Sequence, residues 1–258
     1  MDTIFSPVTG YNGSNCSQVF FGIMSRMLNV YHMPSKESVH IVKAYQDFMR
    51  YEGVPDTLHR DMAPEQKTQD IIDINRRMIV KDTWAEPGYP EQNPVEQGGV
   101  RILKSAADAI ITRTGATPGV WPWVYNYIAD VNNHCANKIL NWRTPIEKRH
   151  GYTPDISALL LYQFWEPVYY LIDEKTPKSK EQKGRWLGLS HHVGDKLTFF
   201  IYCENTGNVV SRSAIRTADP KHNAIVNKRI EPDPFPSPAD SLESNSSENV
   251  LDSGESKR

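Results

Sequence analysis

The spacing of apolar positions changes several times along the chain. Asp2 to Phe5 is a short extended piece, and Gln18 to Ile23 and Met27 to Met33 are runs rich in Val, Phe, Ile and Tyr. With the Gly/Asn/Ser turn at Gly10 to Asn15 between them, these segments predict three strands. Behind Ser35, the apolar residues Val39, Val42, Tyr45, Phe48 and Met49 recur at intervals of three and four, which predicts a helix ended by Gly53. Val54 to Leu58 reads as a brief strand. Thr68 opens a second helix whose Ile71, Ile72 and Ile74 lead to a strand at Met78 to Val80. This alternation predicts a mixed α/β sheet with helices packed on it. Residues 82 to 93, DTWAEPGYPEQN, have no apolar period and read as a mobile Pro/Gly loop. Asn93 caps and Pro94 begins a long helix through Ile102, Leu103, Ala106, Ala109 and Ile110. A further helix is expected over Trp121 to Leu140, and Thr144-Pro145 and Thr153-Pro154 mark a connector.

From Phe164 the texture becomes WEPVYYLI, GRWLGLSHH, KLTFFIYC and VVSRSAI, closely spaced strands that predict a small β-barrel or meander. The expected organisation is a core over residues 1–150, a small β domain over 160–217 and a disordered acidic tail over 218–258. Composition fits: 258 residues at 39% apolar and 23% charged can bury a core plus a satellite. The net charge of -2 argues at first against a nucleic-acid partner. Its distribution reverses that. Residues 231–258 hold seven acids against Lys257 and Arg258, leaving 27 bases and 24 acids for the rest. Lys175, Lys178, Lys180, Lys183 and Arg185 crowd one loop with a single Glu181, beside Tyr169, Tyr170 and Trp186. Such a loop either holds backbone phosphates and stacks bases or is a solvated hairpin. Cys16, Cys135 and Cys203 are far apart, which excludes a CxxC zinc pair and fits a reducing compartment. No basic-then-apolar leader and no long apolar run is present, so neither secretion nor membrane spanning is expected.

Three acids occupy informative positions: Asp2 in the first strand, Asp61 just past the strand ending at Leu58, and Glu96 at a helix start behind the loop. Converging carboxylates resist joint ionisation unless a cation neutralises them. Magnesium suits hard oxygen donors, and a pair of such ions can drive in-line phosphoryl transfer. Each acid also has a plain alternative. Asp2 can be a solvated terminal acid, Asp61 a turn cap, and Glu96 the return half of a capping box on Asn93.

The order and gaps of these acids resemble the catalytic core of retroviral and retrotransposon integrases, DDE-type transposases with a ribonuclease-H-like fold. Asp2 in DTIFS resembles the first-strand aspartate. Gly53-Val54-Pro55 through Leu58 to Asp61 resembles G-x-P-x-x-L-x-x-D, and Pro90-Glu91-Gln92-Asn93-Pro94-Val95-Glu96 resembles P-x-Q-N-x-x-E. Between Asp61 and Glu96 lie 34 residues. Thr144-Pro145-Ile146-Glu147, Gly151-Tyr152-Thr153-Pro154, Gly184-Arg185-Trp186-Leu187-Gly188, Gly194-Asp195 and Val210-Ser211-Arg212-Ser213 are similar to the copia-type group, the later ones to its Src-homology-3-like barrel.

The resemblance implies Mg2+- or Mn2+-dependent polynucleotidyl transfer, by 3'-end processing and strand transfer, with Asp2, Asp61 and Glu96 holding metal. It also implies DNA as partner, both element ends and target, a homo-oligomer with no membrane, and a loop over 84–93 that orders on DNA. Localisation is then nuclear if the chain integrates DNA in a eukaryote, and otherwise cytoplasmic. Arg101 and Lys104 are candidate phosphate contacts, with a solvated helix face as their alternative.

Two features depart from the resemblance. The first strand starts one residue before Asp2, which implies a polyprotein fragment of reduced stability, and Gly98-Gly99 weakens the helix carrying Glu96 by about 1 kcal/mol per glycine. These motivate a rival: a decayed or co-opted module that binds nucleic acid without catalysis. A third reading, a glycoside hydrolase, needs only two facing acids. His191-His192 lacks companions for zinc, His59 could adjust Asp61, and Trp121, Trp123, Trp142 and Trp165 read as core. No phosphate-loop or dinucleotide fingerprint is present.

Overall fold

Three antiparallel strands, β1 (Asp2–Phe5), β2 (Cys16–Phe21) and β3 (Leu28–Met33), form the first sheet in that spatial order. They belong to a computed structural model that describes residues 1–86, 93–172 and 181–218. Every position of β2 is buried, the condition under which a strand carries apolar residues without strict alternation. Val19 and Phe21 enter one core cluster with Leu103, Val124 and Ile128, while Phe20 faces the opposite cluster with Ile41, Tyr45, Leu58 and Ile71. The polar members of β2 are bonded: Ser17 to His32 at 2.8 Å, and Gln18 to Thr3 at 2.7 Å.

Helix α1 (Ser38–Glu52) lays Ile41, Ala44 and Tyr45 on this second cluster, with the Phe48 ring stacked on Phe20 at 4.3 Å. It ends at Gly53, whose φ of 86° favours glycine. The next strands, β4 (Thr57–Arg60) and β5 (Lys81–Trp84), pair in parallel around α2 (Gln69–Met78). Both lie later than their apolar runs predict. Pro55 cannot donate to a ladder, and Ile79, at φ 59°, closes α2 in the left-handed conformation, so extended structure begins only at Lys81. The first residues of the expected loop 82–93 are therefore strand. Residues 87–92 of that loop lie outside the described residues. Met1 links the two sheets: its amino group donates to His59 O at 2.6 Å.

A π-helical turn, Glu96–Val100, leads into α3 (Arg101–Thr114), which packs with α4 (Trp121–His134) over the Val19 face of the first sheet. α4 stops six residues before the predicted end, because Cys135 is extended and Asn137 caps a separate 3-10 turn at Lys138–Leu140. Trp121 and Trp123 are core, but Trp142 is 71% exposed and Trp165 only half-buried. The reason at Trp142 is local: Asn141 and Trp142 both have positive φ, which turns the chain outward. The supposed connector holds α5 (Pro145–His150). Thr144 accepts from the Glu147 amide at 3.0 Å and Glu147 accepts from the Thr144 amide at 3.4 Å, a capping box that the sequence reading had placed at Asn93.

The last described segment is an antiparallel sheet of β6 (Pro167–Leu171), β7 (Glu181–Leu189), β8 (Phe199–Cys203), β9 (Val209–Arg212) and β10 (Ile215–Thr217), in the order β10-β6-β7-β8-β9. Strands β9 and β10 are its two edges, so among the described residues the sheet is open, where a small barrel was expected. A bulge at Trp186/Gly188, with Gly188 at φ 121°, bends β7. The sheet packs on α4 through Tyr127 against Trp186 at 5.8 Å and Trp123 against Phe200 at 6.5 Å. Leu187 and Phe164 share the core cluster of Val19, and the described residues pack as one unit. The expected disordered tail lies outside the described residues apart from Ala218. No described helix is long and apolar enough to cross a membrane.

Candidate active site

Asp2 enters the site from the start of β1, opposite Val19 of β2. Its Oδ1 accepts from the Thr3 amide at 2.7 Å. Burial raises its carboxyl from 3.8 to about 6, against the opposing Thr3 hydrogen bond, and the negative charges of Asp61 and Glu96 push it further up. Asp2 is thus within electrostatic reach of both Asp61 and Glu96. The neighbouring Met1 amino group is pushed down to about 5 by its burial, although Asp2 and Asp61 pull it upward.

Asp61 follows β4 directly, where the chain leaves the sheet, and its Oδ1 accepts from the Ala63 amide at 3.4 Å, closing an Asx-type turn. A polar network fixes that turn against β1. Gln66 Nε2 donates to Thr3 Oγ1 at 2.9 Å, and Thr3 Oγ1 donates to Gln18 Oε1 at 2.7 Å. The wholly buried Arg60 pairs with the Asp82 carboxylate and donates to Gln66 O, its guanidinium 4.0 Å over the Trp84 ring. These supporting residues escaped the sequence reading. The one signal for Arg60 was its place in HRD, next to Asp61, on a strand otherwise facing core. The His59 ring bonds Thr83 Oγ1 at 3.0 Å.

Glu96 is exposed at the first position of the π-helical turn. Its carboxylate makes no bond to the Asn93 amide among the described residues. Asn93 instead accepts from the Val95 amide at 3.3 Å. The two glycines behind Glu96 have a packing reason. A Cβ on Gly98 would lie 2.5 Å from Phe21 Cε1, and one on Gly99 3.2 Å from Leu28 and 3.3 Å from Val19. Their missing side chains let the turn lie directly on β2, beside the strand that carries Asp2. A π turn inserted at that contact is a common mark of functional positions.

Arg101 and Lys104 are exposed and share one face of α3, three residues apart. Arg101 follows Glu96 by one π turn, its amide donating to Glu96 O. Lys183 is exposed on β7, whereas Arg185 is engaged: Nε donates to Glu204 at 2.6 Å and the guanidinium lies 5.8 Å from the Trp165 ring centre. Lys175, Lys178 and Lys180 lie outside the described residues. Of the aromatics beside that loop, Trp186 and Tyr170 are core, and Arg216 lies over the Tyr169 ring at 4.6 Å. His191 pairs with Asp130 at 2.8 Å, which raises its pKa.

The carboxylates that act on Asp2 supply hard, negative oxygen donors of the kind a divalent cation takes, with the Met1 amino group beside them. Among the described residues, however, no three His, Cys, Asp or Glu side chains are close enough to hold a metal ion as they stand.

No family model and no curated protein matches the sequence. Among solved structures, the chain is similar to one in the cryo-EM structure of the simian T-cell lymphotropic virus intasome in complex with PP2A regulatory subunit B56 gamma. The TM-score is 0.50 at 14% identity, over 84% of this chain and 78% of that one. A second match is the HTLV-2 integrase catalytic core domain in complex with magnesium, in a trimeric form, with TM-score 0.45 and 15% identity, covering 58% of this chain and 93% of that one. The fold is integrase-like.

Proposed function

We propose that this chain is a copia-type integrase segment, acting in metal-dependent polynucleotidyl transfer on DNA. The observation that carries the reading is that Asp61 and Glu96, from two separate elements, each act electrostatically on Asp2 of a third in an integrase-like fold. Asp2, Asp61 and Glu96 would hold Mg2+ or Mn2+, which supplies charge neutralisation at the scissile phosphate and acidifies a water or a 3'-hydroxyl. Asp2 is the residue most changed by that cation, because a positive partner offsets the burial that keeps its proton on. Asp61 is aimed by its Asx turn and by the Gln66–Thr3 bond. The Asn93 cap and the close approach of Gly98-Gly99 to β2 fix the turn that carries Glu96.

In this reading Arg101 and Lys104 contact DNA phosphates along α3. Lys175, Lys178, Lys180 and Lys183 add a second, salt-sensitive contact, and Arg185 serves the fold through Glu204. The partners are DNA, as element ends and target, and further copies of this chain.

The test is nicking and strand transfer on labelled duplex DNA in 5 mM MgCl2 or MnCl2, with EDTA controls. Asp61→Asn and Glu96→Gln should each abolish turnover while leaving salt-dependent DNA binding in place. Equal activity in parent and variants would overturn the ligand assignment. DNA binding without turnover in any of them would favour a non-catalytic nucleic-acid-binding module.

A further inference from the structure

Between α4 and α5 the chain forms a closed hook, Asn137 to Arg143. Main-chain bonds tie its neck: the Asn137 amide donates to Arg143 O at 3.0 Å, and the Trp142 amide donates to Asn137 O at 3.0 Å. Across the tip the Asn141 amide donates to Lys138 O at 3.1 Å, and Asn137 Oδ1 accepts from the Ile139 amide at 2.9 Å. Leu140, 7% exposed, roots the hook in the protein, while Ile139 and Trp142 stand 69% and 71% exposed. Of the six tryptophans Trp142 is the exposed one. It is held there at a φ of 63°, next to Asn141 at 56°. Asparagine visits this left-handed region readily, whereas a bulky residue in it is strained. Strain at a side chain that packs against little of the fold marks a position kept for something other than stability.

The charge around the hook is one-sided. Residues 131–154 carry Lys138, Arg143, Lys148 and Arg149 against Glu147 alone, and the Glu147 carboxylate is held by the Thr144 amide. Lys138 and Arg143 are exposed, and among the described residues neither pairs with a carboxylate. We propose that the hook is a DNA wedge: Trp142, with Ile139, enters a base step of duplex DNA from the minor groove, and Lys138 and Arg143 neutralise the flanking phosphates. Apolar side chains that insert at a base step kink the duplex, and cations beside them hold its backbone. The order cation, apolar, apolar, cation through Lys138, Ile139, Trp142 and Arg143 matches phosphate, base step, phosphate. Because the hook is already closed by its own bonds, it has little freedom to lose on binding. The choice of DNA over an acidic protein surface rests on the reading of this chain as a DNA-processing enzyme. The wedge adds to that reading a contact on an element other than α3, and a bend that phosphate contacts alone do not give.

The test uses the full chain in EDTA with a short duplex carrying a dye at each end, read by anisotropy for affinity and by energy transfer for end-to-end distance, at about 50 to 200 mM KCl. The parent should bind and shorten the end-to-end distance. Trp142→Ala should weaken binding about tenfold or more and remove the shortening, with the salt slope unchanged. Lys138→Ala and Arg143→Ala should each lower the salt slope by about 1. Trp142→Gly, which relieves the left-handed backbone, should melt at or above the parent while losing the bend. If Trp142→Ala binds and bends DNA like the parent, the wedge is wrong, and nicking by both chains would leave the enzyme reading standing. A parent that binds no DNA overturns both. Unchanged DNA affinity with a smaller oligomer in Trp142→Ala would make the hook a contact between copies and overturn the wedge. A Tm several degrees below the parent in both Trp142→Ala and Trp142→Gly would do the same, by giving the indole to the fold.

Discussion

Replacing Asp2 by asparagine removes an ionisation that the fold resists. The carboxyl moves from 3.8 in the open chain to about 6 in the fold, chiefly through burial. A value raised on folding means that the folded state binds the proton more tightly. The associated stability is present below pH 3.8 and is lost as pH rises through about 6. At 1.36 kcal/mol per pH unit this amounts to about 3 kcal/mol of destabilisation at neutral pH without metal.

Asn is close in shape to the protonated acid, so Asp2→Asn should match the parent near pH 3.5. It should gain progressively on it between pH 4 and 6.5, reaching about 2–3 kcal/mol at pH 7.5. The Met1 amino group, pushed down to about 5, titrates with the opposite sign: its contribution is present above pH 8 and lost as pH falls through 5. Asp2 is one of the charges that pull it upward, so Asp2→Asn should lower it further, and the two titrations are fitted together in the difference. Urea unfolding in EDTA at half-unit pH steps measures the effect. A parent-minus-variant difference that is flat from pH 4 to 7.5, or of opposite sign, would refute the burial argument. Repeating the series in 10 mM MgCl2 should shrink or reverse the gap by stabilising only the parent.

Gly98→Ala should destabilise by about 1–3 kcal/mol despite the better helix propensity of alanine, because its Cβ would lie 2.5 Å from the Phe21 ring. Gly99→Ala should cost less, and thermal unfolding of the pair checks the order. Arg60→Ala leaves Asp82 without its partner in a largely buried setting and should cost about 3–5 kcal/mol in urea unfolding. Thr144→Ala should cost about 1 kcal/mol by loss of the capping box, with no change in DNA binding. Glu96→Gln should leave Tm within about 1 °C, since the side chain is exposed, while removing metal-dependent turnover.

The elements that could be read in advance are those whose burial is simple. β2 and α1 announced themselves through a continuous apolar run and a 3.6-residue stripe, and Asn93 did act as a cap. Boundaries set by single dihedrals were not legible: the left-handed Ile79 that delays β5, and the positive φ at Asn141 and Trp142 that carries an aromatic residue outward. The three acids were legible as candidates because they stand at strand ends and a helix start. Their support was not, because Thr3, Gln18, Gln66 and Arg60 meet only through tertiary contacts from three elements. Trp186 and Tyr170 misled for the converse reason, as aromatic residues beside a basic loop are equally suited to a small core.

Gly98-Gly99 has the most consequence for function. By helix propensity alone the pair reads as damage to the element that carries Glu96. In the fold, any side chain there would collide with Phe21, Leu28 or Val19, and the π turn would have to lift off β2. Glu96 would then move away from Asp2, and the like-charge contribution to the raised Asp2 carboxyl would fall with it. The glycines therefore act on the site through distance, while Arg60, Gln66 and Thr3 act through orientation at Asp61. The two supports share no residue, so substitutions in them should combine additively in stability. In the proposed reading they should fail to do so in metal-dependent turnover, where one cation would need both carboxylates.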